Sequence, residues 1–256
     1  MLRISKKIWE RIKILIPSKK SKIGRPRKDE KTILDGIFFV MYTGIQWKML
    51  PNYYGAASTV HGTFMKWVKA GTFHKILMAS IDLSIEILGK PQSFHYDTSS
   101  QKAPFARFSG KNPTDRKKQG VKKGVVIDFK KIILSLSFDP ANIHDSKTLE
   151  PHLENIKKFI EEKPLVLSAD SAFDDKNLRK KCATYNLALH TSTNVRRDKN
   201  KQKLKFHGQW KSEQVFGILY WNRGIKFCWL KLKESALAFL QFAAAVHNFK
   251  LIGVFG

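Results

Sequence analysis

Acidic residues are scarce in this chain, 21 Asp and Glu against 47 Lys and Arg in 256 residues, and three of them sit where they could do chemistry. Asp97 closes the short extended run Ser93-Phe94-His95-Tyr96. Asp170 closes the apolar run Leu165-Val166-Leu167-Ser168-Ala169, and Glu213 lies in Trp210-Lys211-Ser212-Glu213, at the opening of a helix-like stretch. Hard Mg²⁺ or Mn²⁺ ions take oxygen ligands, and a pair of ions about 3.5–4 Å apart stabilises both the attacking and the leaving oxygen of an in-line phosphoryl displacement. Without cations, three converging carboxylates would repel one another and their pKa values would rise. A single strand-end Asp is ordinarily a cap or turn former. Two acids at strand ends with a third on a later helix point instead to metal-dependent phosphoryl transfer.

The bulk properties agree. A formal charge of +26 and a pI near 10.1 make the chain repel itself unless a polyanion is present. Nucleic acid is the first candidate because each neutralised phosphate releases counterions; an anionic membrane surface is the rival. With 43% hydrophobic residues the chain can bury a proper core, in two unequal domains. Cys182 and Cys228 match no CxxC or zinc spacing and read as reduced thiols of a cytosolic protein. The basic opening Lys6-Lys7-Ile8-Trp9 is followed by Glu10, Arg11 and Lys13, which do not suit a secretory signal. Ala236 to Phe255 is apolar but contains Gln241, His247, Asn248 and Lys250, so it reads as a buried terminal helix and not as a membrane span.

The elements that must position the acids can be placed along the chain. Ile4, Ile8, Ile12 and Leu15 predict a first helix ending near Pro17. A basic linker leads to Asp29, an N-cap for a helix with Ile33, Ile37, Val40 and Met41 on its inner face, stopped by Gly44. After a connector holding Trp47, Met49 and Leu50, Ser58 is expected to cap a helix buried through Val60, Phe64, Trp67 and Val68. Gly71 stops it, and Phe73 to Leu88 forms one more helix. This helix, tight connector, helix layout is that of a helix-turn-helix module in residues 1–90. Its reading helix would present Thr59, His61, Thr63, Lys66 and Lys69 to DNA; the plainer reading is a helical bundle whose polar face meets water.

Residues 91–256 have a different pattern. The strands Ser93–Tyr96, Gly124–Phe129 and Ile132–Phe138 come first, the last two joined by a Lys130-Lys131 turn into a hairpin. A helix from about Ser146 to Ile160, the strand Leu165–Ala169, a helix around Asp174 to Asn186, the strand Leu187–His190 and C-terminal helices from Ser212 follow. Three strands, helix, strand, helix, strand, helix is the order of a ribonuclease H-like α/β fold with a mixed sheet. In it the first and fourth strands lie side by side, and Asp97 and Asp170 occupy their ends. Asp145 reads as a helix-start residue, and Asp174 and Asp175 as caps of the helix after the second acid.

Five segments in this order resemble the DDE transposases of bacterial insertion sequences, in the insertion sequence five branch, related to the insertion sequence four superfamily. They are Gly24 to Gly55 with Ser58 to Gly71, His95-Tyr96-Asp97-Thr98-Ser99-Ser100, Pro140 to Ser146, Ser168 to Asp174, and Trp210-Lys211-Ser212-Glu213-Gln214-Val215-Phe216-Gly217-Ile218-Leu219. The resemblance implies catalytic, metal-holding acids at Asp97, Asp170 and Glu213, two Mg²⁺ or Mn²⁺ ions, and cleavage at terminal inverted repeats followed by attack of the 3′-hydroxyl on target DNA. Double-stranded DNA would be the partner, at least a homodimer the working form, and the bacterial cytoplasm, at the nucleoid, the location.

Gln209, Gln214 and Tyr220 stand where the family often has basic residues, which motivates the alternative of a catalytically inactive or repurposed DNA-binding protein. Lys211, Arg223 and Lys226 are the nearby cations that would compensate. Two basic loops are expected to track phosphates, one carrying Arg116, Lys117, Lys118, Lys122 and Lys123, the other Arg196 and Arg197. Gly24-Arg25-Pro26-Arg27, continued by Lys28, matches the core of a minor-groove AT hook and equally a simple linker.

Overall fold

The computed structural model describes residues 4–17, 28–160, 163–192 and 209–253. Helix α1 (Lys6–Ile12) starts at Ser5, whose hydroxyl accepts the Ile8 N–H. It is fastened to α2 (Glu30–Thr43) by Asp35, a buried carboxylate that accepts the Ile4 N–H at 2.7 Å and pairs with Lys31 at 3.0 Å. Asp29 caps α2 through the Thr32 N–H, and Gly44 ends it with φ 71°, a left-handed conformation that suits a residue without Cβ. Helix α3 (Ala57–Lys69) begins two residues earlier than a Ser58 cap would set it: Ala56 occupies the N-cap without a side-chain bond, and Ser58 lies exposed inside the first turn. Val60, Phe64 and Trp67 of α3 are buried, and Gly71 leads at φ 66° into α4 (Thr72–Leu88).

The sheet holds β1 (Ser93–Lys102), β2 (Gly110–Lys111), β3 (Gln119–Asp128), β4 (Ile133–Pro140), β5 (Leu165–Ala169) and β6 (Leu187–Thr191). β3 lies between β1 and β4, antiparallel to both, and the two-residue β2 pairs with the start of β3. On the other side of β1, β5 and then β6 run parallel to it. Parallel neighbours need crossover connections; α5 (Asp145–Lys157) precedes β5 and α6 (Lys176–Thr184) precedes β6. This order, β4-β3-β1-β5-β6, is the ribonuclease H-like topology. After β6 come α7 (Gln209–Tyr220), α8 (Arg223–Lys226) and α9 (Lys233–Leu251). Among the described residues no helix is long and apolar enough to cross a membrane.

Two strands are longer than the sequence suggested. β1 continues five residues past Asp97, and β3 begins at Gln119, so Lys122 and Lys123 belong to a central strand and not to a loop. Backbone pairing of Thr98–Lys102 with Gly120–Gly124 drives this extension, which the polar side chains of Thr98-Ser99-Ser100-Gln101-Lys102 conceal. Gly124 is required in β3: a Cβ there would stand 2.7 Å from the Tyr96 hydroxyl and 2.8 Å from His152.

Successive residues of β1 face opposite ways. Tyr96 turns toward α5, donating to Thr148 at 2.9 Å, whereas Ser99 turns toward α7, accepting from Tyr220 at 2.5 Å. Helix α9 packs along α4 and against β4, joining the N-terminal helices to the sheet through one apolar core. At that junction the fully buried Asn248 acts as a strand would: its amide accepts the Ile133 N–H at 2.9 Å, donates to the Ile133 carbonyl at 3.1 Å, and donates to Ser80 of α4 at 3.2 Å. Asn248→Ala leaves those buried groups unpaired and should lower unfolding free energy by about 3 kcal/mol in urea titrations; a loss under about 0.5 kcal/mol would mean the junction holds without it.

Candidate active site

Phe94 pairs with Leu167 and His95 with Ser168, an offset of 73 residues that carries Asp97 to Asp170. The parallel register of β1 and β5 thus brings the two aspartates level, and they line one narrow cleft with His95, Tyr96, Ser168, Ala169 and Ser212. Asp97 is half-buried within β1 and accepts the Thr98 N–H at 2.7 Å. Asp170 is exposed just past β5 and accepts the Ser171 N–H at 2.5 Å.

Helix α7 closes the cleft from above. Lys211 donates to the Phe129 carbonyl at 3.0 Å, the Ser212 hydroxyl bonds Asp97, and Tyr220 holds the far end of the helix to Ser99. Glu213 follows Ser212 on the first turn, exposed. Its charge and that of Asp170 both reach Asp97. Burial foremost, and then those two neighbouring charges, push the Asp97 carboxyl up to about 6, against the bonds from Thr98 and Ser212 that favour the ionised form. His95, two residues before Asp97 on the same face, is buried and held neutral by desolvation and by the nearby Lys211 charge.

The donor chemistry fits hard divalent cations: two level carboxylates whose repulsion a cation would relieve, with a third carboxylate within electrostatic reach. Assembly is incomplete, since among the described residues no group of three His, Cys, Asp or Glu side chains is close enough to hold a metal ion. Asp97 lies on β1, Asp170 directly follows β5, and Glu213 is carried by α7. Ser212 and His95 were missed in the sequence; period-two alternation back from Asp97 and adjacency to Glu213 were the available signals.

The family model of the transposase DDE domain matches residues 85–248, and that of IS4/5-family transposases matches residues 4–77. The chain belongs to the DDE transposases. No curated protein matches it. Among solved structures, the piggyBac transposase synaptic complex with hairpin DNA is similar at 11% identity and a TM-score of 0.41, over 98% of this chain and 74% of that one. The Mos1 transposase paired-end complex with left transposon end gives 8% and 0.30 over 90% and 82%. The catalytic domain of Mos1 mariner transposase gives 8% and 0.29 over 69% and 93%. Superpositions this loose carry no functional weight.

The basic residues of the transposase divide sharply by exposure. Thr59, His61, Lys66 and Lys69 are exposed on α3 and Thr63 is half-buried. Thr59, Thr63 and Lys66 line a cavity of about 780 Å³ beside α2 that Lys28 also borders. Arg116, Lys117 and Lys118 are exposed on a turn pinned by Asn112, with Arg116 and Lys117 at φ 49° and 57°. Lys122 and Lys123, expected to track phosphates, are interior instead. Lys122 pairs with Asp145 at 2.5 Å and donates to the Ile143 carbonyl. Lys123, fully buried, donates to Gln101 and to the Ile225 carbonyl and lies 4.1 Å from the centre of the Tyr220 ring; burial draws its pKa down to about 7. Asp128 ends β3 and is buried, accepting the Ile132 N–H at 2.7 Å. Arg25, Arg27, Arg196 and Arg197 lie outside the described residues.

An Asp pKa raised from 3.8 to about 6 means the folded state holds its proton more tightly than the unfolded chain. Stability therefore falls as pH rises from about 4 to 6, and the full penalty persists above. Asp97→Asn should raise unfolding free energy by about 2 kcal/mol at pH 7.5 and by much less at pH 4. A difference between wild type and variant that does not change with pH would refute the raised pKa.

Proposed function

We propose that this transposase binds the terminal inverted repeats of its own element, hydrolyses the phosphodiester at each end, and joins the freed 3′-hydroxyl to target DNA. The observation that carries the reading is the level pair Asp97 and Asp170 beneath a helix that presents Ser212 and Glu213. The cations that Asp97, Asp170 and Glu213 would hold supply Lewis-acid activation of water and stabilisation of both reacting oxygens. The chain's own contribution is placement. Ser212 and the Thr98 N–H orient the Asp97 carboxylate, and burial of His95 disfavours a competing positive charge beside it.

DNA is gripped away from the chemistry by the helical domain, residues 1–90, through Lys28, Thr59, His61, Lys66 and Lys69, with Arg25 and Arg27 on the preceding segment. In residues 91–256 the turn carrying Arg116, Lys117 and Lys118, together with Arg196, Arg197 and Lys211, follows phosphates. A charge of +26 suits such a polyanion. Two ends must be processed together, so the working form is at least a homodimer.

Labelled element-end DNA with Mg²⁺ or Mn²⁺ provides the test. Wild type should nick it; Asp97→Asn, Asp170→Asn and Glu213→Gln should abolish nicking while end binding stays within about twofold. Nicking retained by any of these variants would show that the acids are wrongly assigned, and end binding without nicking by wild type would mark a silent DNA-binding protein. Independently of activity, Mn²⁺ should raise the melting temperature of wild type and not of Asp97→Asn; an equal rise in both would remove Asp97 from the cation site.

A further inference from the structure

Four large aromatic side chains are exposed where β1 ends and α7 passes into α9: Phe105 at 55%, Trp221 at 74%, Phe227 at 50% and Trp229 at 57%. Phe105 and Trp229 stand together. The Arg107 N–H donates to the Lys231 carbonyl at 3.0 Å, tying the segment after β1 to the segment before α9, and the Phe105 and Trp229 rings stand 5.7 Å apart. Exposed apolar groups gathered in this way mark an interaction surface.

The charge of the patch selects the occupant. Residues 102–107 and 221–234 together carry six Lys or Arg and a single acid, Glu234. The Lys226 ammonium lies 5.8 Å from the centre of the Phe227 ring, and Lys226 and Lys231 are themselves exposed. A second copy of so cationic a face would be repelled, and an aliphatic partner would leave the cations without counter-charges. Flat rings interleaved with cations suit unpaired nucleotides, whose bases stack on aromatic faces while their phosphates meet Lys and Arg.

Position agrees with charge. Asp97 lies on β1 and Phe105 three residues past its end: five residues of β1 separate Asp97 from Lys102, about 17 Å at the usual strand rise. Because α7 covers β1 beyond Asp97 through Tyr220 on Ser99, an unpaired strand of a few nucleotides would leave the cleft past α7 to reach Phe105. We propose that Phe105, Trp229 and Phe227, with Lys226 and Lys231, form a platform that binds single-stranded DNA next to the site, resting on the transposase reading above and specifying the state of DNA it takes.

Fluorescence anisotropy with a labelled single-stranded oligothymidylate and a labelled duplex of matched length tests this on the full chain. The double variant Phe105→Ala/Trp229→Ala should bind the single strand about 10- to 100-fold more weakly and the duplex within about twofold of wild type. Trp229→Phe should retain most single-strand affinity, because it keeps a stacking face. Unchanged single-strand binding by a folded double variant would overturn the platform, as would an equal loss on duplex. Wild type sedimenting as a dimer that the double variant loses would assign the face to a contact between copies and overturn it too. Cleavage of element ends by wild type is measured separately, so the platform can fail while the transposase reading stands.

Discussion

Pairing of β1 with β5 is the constraint around which the catalytic half is built. Parallel register sets Asp97 level with Asp170, and two carboxylates in that relation repel whenever both are ionised. Nothing local to either residue could keep them there. The pair persists because β1 is anchored on its other edge over its whole length by β3, and β5 is backed by β6. Desolvation of Asp97 adds to the cost, so its raised pKa measures what the sheet imposes on the site. Such unfavourable placement is expected where a site is organised for a ligand more than for stability.

The lysines show a second partition imposed by the fold. A chain of charge +26 might be expected to keep every cation in water, yet Lys122 and Lys123 stand on a strand buried from Gly120 onward. Each is accommodated differently. Lys122 reaches a carboxylate and a carbonyl at the start of α5, whereas Lys123 has an amide oxygen, a carbonyl and an aromatic face, none of them charged. A buried ammonium without a carboxylate is costly, which is why its proton is held weakly. In exchange Lys123 links β3 to Gln101 of β1, to Tyr220 at the end of α7 and to Ile225 of α8.

Much of this was legible in the sequence where local chemistry fixes local structure. The Asp29 cap, the Gly44 and Gly71 stops, the Lys130-Lys131 turn and the apolar run Leu165–Ala169 each have a short-range cause and fall where expected. The order of strands and helices was enough to place Asp97 beside Asp170. The failures have long-range causes. Thr98 to Lys102 looks like a polar loop because its strand character comes from pairing with Gly120–Gly124, not from its own side chains. Lys122 and Lys123 looked like phosphate ligands for the same reason: lysine in a basic run is usually solvated, and only pairing on both edges of β3 reveals that these two are not. Ser58 was displaced from its expected cap because α3 starts directly after the turn at Gly55.

The same distinction explains why the third acid differs from the first two. Backbone pairing of β1 with β5 runs as far as His95 and Ser168, and Asp97 and Asp170 each follow two residues later at the same end of the sheet. Glu213 depends on a helix docked by side chains: Lys211 on the Phe129 carbonyl, Ser212 on Asp97, Tyr220 on Ser99 and on the Lys123 ammonium. Side-chain docking permits small shifts of a helix that a β ladder forbids. An exposed carboxylate on the first turn of such a helix can approach the sheet-borne pair when positive charge offsets the repulsion among the three. Two acids carried at one end of the sheet and a third on a helix docked by side chains, all within reach of each other's charge, would gather most readily where cations offset their repulsion.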